Sequence, residues 1–361
     1  MSSISDCEKP LSGKKSFGQS LVRWLWRNSY AAAPTERGLA ASQDKLVRWA
    51  SLSKPLEAAS PVKSRKTYLM LDQFFSIDQL PIAQIENHRV AVEGGSIGAR
   101  SYRTDRALNQ SDNAGLVYYH GGGCVIGDLD THDRFCRLIA ALTDIVVVSI
   151  DYRLAPESRF PTQINDAIAG WNWVNDHADI LGVDKAKLGV GGDSAGGYLA
   201  VSVCQQKLKP TLSEAVNNMP SFQWLVYPWL DCRMVSESSK RCTEGMLLTR
   251  YTMAYFIDHM LGTDNASASA EAQDETVSPL LFKSLKGVPP SYVATAGFDP
   301  LESEGKAYAE RLRGEGAAVE EDFFPEVMHG FIGVSGVCSH AYARSVQMIE
   351  QLSKLAHVNM S

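Results

Sequence analysis

Four short stretches of this chain hold residue types able to do nucleophilic chemistry: Gly192-Asp193-Ser194-Ala195-Gly196, His120-Gly121-Gly122-Gly123, Asp299-Pro300 and His329-Gly330. A serine between small residues suits a tight strand-to-helix turn, where the hydroxyl projects and the helix amides behind it favour developing negative charge. Such a five-residue pattern arises by chance in roughly one chain of this length in ten, given glycine and serine usage of about 7% each. Independent weight comes from the triple glycine, which follows an apolar run and can turn backbone amides toward an oxyanion. Each such donor stabilises that charge by about 2.7 to 4 kcal/mol. The N–H groups of Gly122, Gly123 and Ala195 are expected to form that site. A serine hydroxyl also needs a base, and imidazole, with a free pKa of about 6.5, can serve near neutrality. His329 follows the last expected strand and fits. His177, His259, His340 and His357 fall in helical or terminal segments, while His88 and His132 lack a matching role. Asp299 closes the set as the carboxylate that accepts the imidazole N–H, with Glu302 as the alternative acid. Together these residues can run a two-step acyl transfer without a cofactor or metal.

Groups so far apart in sequence need a scaffold that gathers them. Alternating apolar patterning predicts strands over 88–93, 97–102, 116–119 and 145–151, the first two joined by a hairpin at Gly94-Gly95-Ser96. Then come a helix over 167–181, a buried strand over 188–191, a helix over 195–207 and a strand over 222–227. Strands alternating with helices imply an α/β protein with a mainly parallel sheet. The alternation lapses from about 230 to 277, where only a helix over 248–261 is expected. It resumes with a strand over 292–296, a helix over 302–313, a strand over 319–324 and a closing helix over 341–356. Ahead of the first strand, two amphipathic helices carry the stripes Phe17, Leu21, Trp24, Leu25 and Leu46, Trp49, Ala50, both expected to pack inward.

The chain is 361 residues long, 45% hydrophobic and 21% charged, which suits one large core with an accessory part. A formal net charge of −6 supplies no basic field for nucleic acid or anionic lipid. A small-molecule partner is therefore expected. No apolar run reaches the length of a membrane span, and Arg23 and Arg27 interrupt what could resemble an export signal after Lys14 and Lys15. The seven cysteines show no metal-ligand spacing and read as reduced, mostly buried thiols, so a cytoplasmic location is expected.

These motifs, with Tyr152-Arg153-Leu154-Ala155-Pro156-Glu157 and His329-Gly330-Phe331, resemble the hormone-sensitive lipase family of esterases over roughly residues 85 to 335. The order Ser194, Asp299, His329 is that of the α/β-hydrolase fold. The resemblance implies an eight-stranded α/β-hydrolase core over 86–230 and 278–361. It also implies a helical cap from residues 1–85 and 231–277, and hydrolysis of short- to medium-chain carboxylic esters. His120 would brace the glycine loop, and Cys124, Asp193, Tyr198, Met246 and Leu247 would face substrate, with Trp24 a further candidate in the cap. Cys124 departs from the large aromatic frequent in relatives, and Asp193 could equally hold the turn. A homodimer through the last strand belongs to the same expectation. Amide hydrolysis or deacetylation by the same triad stays open, as does a non-catalytic small-molecule receptor of this fold. The retained His329 argues against the receptor.

Overall fold

The computed structural model of the chain describes residues 17–52, 54–212 and 215–357. Eight strands form one sheet: β1 (Gln84–Val92), β2 (Gly95–Arg103), β3 (Asn113–Tyr119), β4 (Val146–Asp151), β5 (Val183–Asp193), β6 (Gln223–Val226), β7 (Ser291–Phe298) and β8 (Val319–Met328). Their order is β1-β2-β4-β3-β5-β6-β7-β8. The expected hairpin is present, with Val92 opposite Gly95, and β2 pairs antiparallel with β4. The remaining pairings are parallel. β3 is buried at every position, as a parallel strand covered on both faces must be. Leu116 and Tyr118 enter one apolar cluster with Trp224 and Val226, whereas Val117 and Tyr119 enter the other with Leu225. That two-residue alternation divides the core into two layers.

Ahead of the sheet lie α1 (Phe17–Trp26), α2 (Ala41–Ala50) and α3 (Pro61–Phe75). Within it come α4 (Asp105–Leu108), α5 (Asp133–Thr143), α6 (Thr162–Asp176), α7 (Ala178–Leu181), α8 (Ala195–Leu208), α9 (Glu237–Arg241), α10 (Arg250–Leu261), α11 (Glu302–Gly314) and α12 (Ser339–His357). Residues of α5 and α12 fill the layer that holds Trp224, and those of α6, α8 and α11 fill the opposite one. The helix expected over 167–181 starts earlier, just after Pro161, and breaks at His177. There the imidazole stacks on Trp173 at 4.4 Å and its Nδ1 bonds the Trp173 carbonyl at 2.8 Å.

The α1 stripe is a correction, and the α2 stripe is split, with Leu46 buried and Trp49 turned outward. Leu21, Trp24 and Leu25 are 48%, 59% and 48% exposed, and Trp49 is 44% exposed. Arg23, bonded to Asp78 at 2.9 Å, fixes the rotation of α1 so that Gln19 and Trp26 turn inward instead. Trp26 sets its ring edge 5.4 Å from Phe75 and donates to the Ser42 carbonyl at 3.3 Å. The Phe17 side chain, Lys14, Lys15 and Cys7 lie outside the described residues, and the six described cysteines are buried and unpaired.

Two regions where the alternation lapses meet each other. Thr252 of α10 donates to Glu57 at 3.0 Å, Tyr255 to the Ala59 carbonyl at 3.2 Å, and Arg37 to the Gly245 carbonyl at 3.0 Å. Thr249 caps α10 by accepting from the Thr252 amide, and Gly262 ends it in the left-handed region. No helix among the described residues is long and apolar enough to cross a membrane.

Trp224 is fully buried, stacks on Phe135 at 6.2 Å and donates to the Met348 carbonyl at 3.0 Å, tying β6 to α5 and α12. Trp224→Ala is expected to cost about 3 to 5 kcal/mol. A fall in the urea midpoint at unchanged slope is the measurement that checks it.

Candidate active site

β5 ends at Asp193 and α8 begins at Ala195, which leaves Ser194 in the turn at φ +56° and ψ −117°. A non-glycine residue there costs about 1 to 3 kcal/mol, so its surroundings must fix it. The Ser194 amide donates to the Val226 carbonyl at 2.9 Å, and the Trp229 amide donates to the Ser194 carbonyl at 3.1 Å. A Cβ at Gly196 would strike the Tyr119 carbonyl, so only glycine lets α8 start this close to β3.

The serine hydroxyl lies 2.9 Å from Nε2 of His329, whose Nδ1 lies 2.8 Å from Oδ2 of Asp299. Asp299 is fully buried and its other oxygen accepts the Leu301 amide at 2.8 Å. A carboxylate only accepts, so Nδ1 carries the proton and Nε2 presents its lone pair to the serine hydroxyl. The loop after β7 supplies the acid and the loop after β8 the imidazole, joined by the His329 amide on the Phe298 carbonyl at 3.2 Å. Glu302, the alternative acid, is instead engaged by Lys306 at 2.6 Å and Arg241 at 2.5 Å. Tyr227 flanks the imidazole at 4.5 Å between ring centroids and meets Phe331 edge-on at 5.3 Å. Sequence reasoning missed it, because one tyrosine after an apolar strand carries no pattern.

The glycine loop sits beside this chain of bonds. Burial pushes the His120 imidazole down to about 4, so it is neutral. Its Nδ1 bonds the Gly121 carbonyl at 2.8 Å, and its ring stacks on Tyr152 at 4.3 Å. The Tyr152 hydroxyl in turn donates to the His120 carbonyl at 2.7 Å. His120 is thus tied into the loop by bonds at both its ring and its backbone. Gly123 has φ +62° and carries the Phe256 ring of α10 where a Cβ would stand. The amides of Gly122 and Gly123 donate to no protein group among the described residues.

Of the residues expected to face substrate, two are committed to protein partners. The Asp193 carboxylate accepts from the Gly121 amide at 2.8 Å and the Tyr118 hydroxyl at 2.5 Å, turning toward the loop rather than outward. Tyr198 is buried in α8 and donates to the Thr276 carbonyl at 3.1 Å. Cys124 is wholly buried at φ +59°, with its carbonyl on the Ala155 amide at 2.8 Å. Met246 is half-buried and Leu247 exposed, beside the Gly245 carbonyl that Arg37 holds.

Two further contacts had no signal in the sequence. Gln43 of α2 accepts from the Met328 amide at 2.8 Å, one residue before the imidazole. Arg65 of α3 donates to the Val125 and Ala155 carbonyls at 2.8 Å each and pairs with Glu157 at 2.7 Å. Among the described residues no group of three or more His, Cys, Asp or Glu side chains is placed to hold a metal ion. A groove of about 610 Å³ lined by Asn113, Ile145, Lys187 and His357 lies at the amino ends of β3 and β4, away from Ser194.

Residues 116–333 match the family described as alpha/beta hydrolase fold. The carboxylic ester hydrolase LipN of Mycobacterium tuberculosis is 39% identical over 259 residues, covering 72% of this chain and 67% of LipN. The ethyl acetate hydrolase of Pseudomonas putida is 34% identical over 262 residues, covering 73% and 80%. An ester hydrolase from the metagenome of Lake Arreo, solved with a derivative of bipyridine phosphonate, superposes with a TM-score of 0.80 at 33% identity, covering 88% of this chain and 98% of that one. An esterase of Pyrobaculum calidifontis superposes with a TM-score of 0.77 at 30% identity, covering 88% and 99%.

Gln43→Ala leaves the buried Met328 amide without its partner and is expected to cost about 1 to 3 kcal/mol of stability. Equilibrium unfolding in urea checks this.

Proposed function

The chain belongs to the α/β hydrolase fold family and is a carboxylic ester hydrolase, and from that premise we propose that it cleaves short- to medium-chain esters through an acyl-enzyme on Ser194. The observation that carries the residue assignment is the unbroken hydrogen-bond chain from Ser194 through His329 to buried Asp299. His329 Nε2 takes the hydroxyl proton as Ser194 Oγ attacks the ester carbonyl carbon, and the carbonyl electron pair moves onto its oxygen. The free amides of Gly122 and Gly123, with that of Ala195, receive this oxyanion. Its collapse breaks the bond to the alkoxy oxygen, which leaves as alcohol with the proton from His329. Water then attacks the acyl carbon and gives its proton to Nε2, and collapse of this second oxyanion breaks the bond to Ser194 Oγ, which takes the proton back from Nε2 as the acid departs. Asp299 accepts the Nδ1–H bond throughout and stabilises the imidazolium.

Residues 1–85 and 231–277 form the cap in this reading. Support lies in Phe256 against Gly123, in the contacts between α10 and the Leu56–Ala59 region, and in Arg37 on Gly245 beside Met246 and Leu247. Short acyl groups fit a loop crowded by Phe256, and ethyl acetate is the substrate named for the Pseudomonas relative. A cytoplasmic location agrees with six buried, unpaired thiols. The reading extends to a homodimer through β8, one of the two edge strands, where Glu320 would meet like charge on the copy and weaken pairing at low salt. It involves no nucleic acid.

Turnover of p-nitrophenyl acetate, butyrate, octanoate and palmitate by the wild type and Ser194→Ala tests the proposal. The wild type should prefer the shorter esters, and Ser194→Ala should lose on the order of a million-fold in turnover. Retention of more than a few per cent by the variant would sink the assignment.

A further inference from the structure

His132 had no role in the sequence, yet it is wholly enclosed behind the glycine loop. It stands just before α5, with Nε2 3.4 Å from Oδ1 of Asp193 and Nδ1 3.0 Å from the Thr131 hydroxyl. That hydroxyl also lies 2.9 Å from the Asp128 carbonyl, which can only accept. With the hydroxyl proton on Asp128, the oxygen accepts from Nδ1, as it also accepts from the Asp128 amide at 2.9 Å. Nε2 stands at ion-pair distance from the Asp193 carboxylate, so a proton on Nε2 makes the ring an imidazolium facing its counter-ion.

The Asp193 oxygen that faces His132 is the one that holds the Gly121 amide and the Tyr118 hydroxyl. It therefore sets the glycine loop, and its chain neighbour is Ser194. We propose that His132 is a positioning residue acting through Asp193: its positive charge neutralises the carboxylate that holds the loop, so that the oxyanion forms beside a neutral pair. Loss of the Nε2 proton would leave a bare carboxylate behind the oxyanion site and oppose the developing charge. The inference rests on the reading of Ser194 as nucleophile and the glycine amides as oxyanion donors.

The surroundings support the charged form. Burial is the largest influence on the His132 pKa and lowers it, but Asp193, Asp72 of α3 and Asp128 of the preceding loop together outweigh it and raise the value. Asp193 is correspondingly held below the usual carboxylate range, its own burial being outweighed by His132, Tyr118 and His120 together. The other groups facing the ring are neutral: His120 at 5.4 Å, Tyr118 at 6.3 Å and Tyr68 of α3 at 6.1 Å between centroids. Arg134 lies 3.6 Å from Asp72 and partly offsets it.

The consequence is an ionisation outside the triad: deprotonated His132 weakens oxyanion binding, which gives kcat an alkaline limb. The test is the kcat profile for p-nitrophenyl acetate from pH 6 to 9.5, for wild type, His132→Gln, Asp193→Asn, the double variant and Ser194→Ala, with folding checked by circular dichroism. His132→Gln should lower kcat by about 10-fold with KM changed less than about 3-fold, and should lose the alkaline limb. In the Asp193→Asn background, where no charge needs balancing, it should cost less than about 2-fold more. Asp193→Asn read alone repeats the test without touching His132, because with no carboxylate behind the oxyanion site the His132 charge has nothing to balance and the limb should vanish. An alkaline limb that survives in folded His132→Gln or in Asp193→Asn, with Ser194→Ala inactive, overturns the role of His132 alone. Wild-type turnover by Ser194→Ala overturns the reading of the site itself.

Discussion

Ser194 occupies a backbone conformation that an L-residue avoids, and the molecule around it is arranged to make that conformation the least costly one available. Three adjacent strands contribute. β5 delivers the residue, β6 receives its amide at Val226, and β3 lets α8 begin against the Tyr119 carbonyl because Gly196 has no side chain. The buried parallel strands are what make this possible. Their apolar faces on both sides leave the sheet no freedom to relax, so local strain is opposed by burial spread over two large clusters. The carboxyl ends of β7 and β8 present the acid and the imidazole, so one end of a single stiff sheet fixes all three members of the triad.

Much of this was readable in the residues. The glycines around Ser194 mark a turn too tight for side chains, and the alternation of strand and helix places that turn at the end of a parallel strand. Asp299 and His329 follow from the same logic, since the first comes directly after an apolar strand and the second after the last strand of the sheet. The unread part consists of long-range polar contacts made by residues without a local pattern. Gln43 reaches Met328 across 285 positions, and Arg65 reaches Ala155 across 90. Neither glutamine nor arginine announces such a partner. The stripe of α1 misled for a related reason: Leu21, Trp24 and Leu25 are apolar, but a salt bridge from Arg23 decided which side turns inward.

Asp193 shows how one position can satisfy structure and chemistry together. Its neighbour is the strained serine, its carboxylate fastens the opposite loop, and its charge is balanced from a third element at the start of α5. Buried carboxylates are costly unless paired and fully bonded, and here the pairing ties loops from three parts of the chain into one unit.

The N-terminal helices grip both chemical loops, Gln43 at the imidazole side and Arg65 at the glycine side, while α1 leaves apolar groups in water. The same part of the chain also buries Leu39, Leu46, Val47 and Phe75 in the apolar layer that holds Trp224. It is therefore continuous with the core, and a substitution that loosens this packing would be felt at the imidazole and at the glycine loop together, at a distance from either.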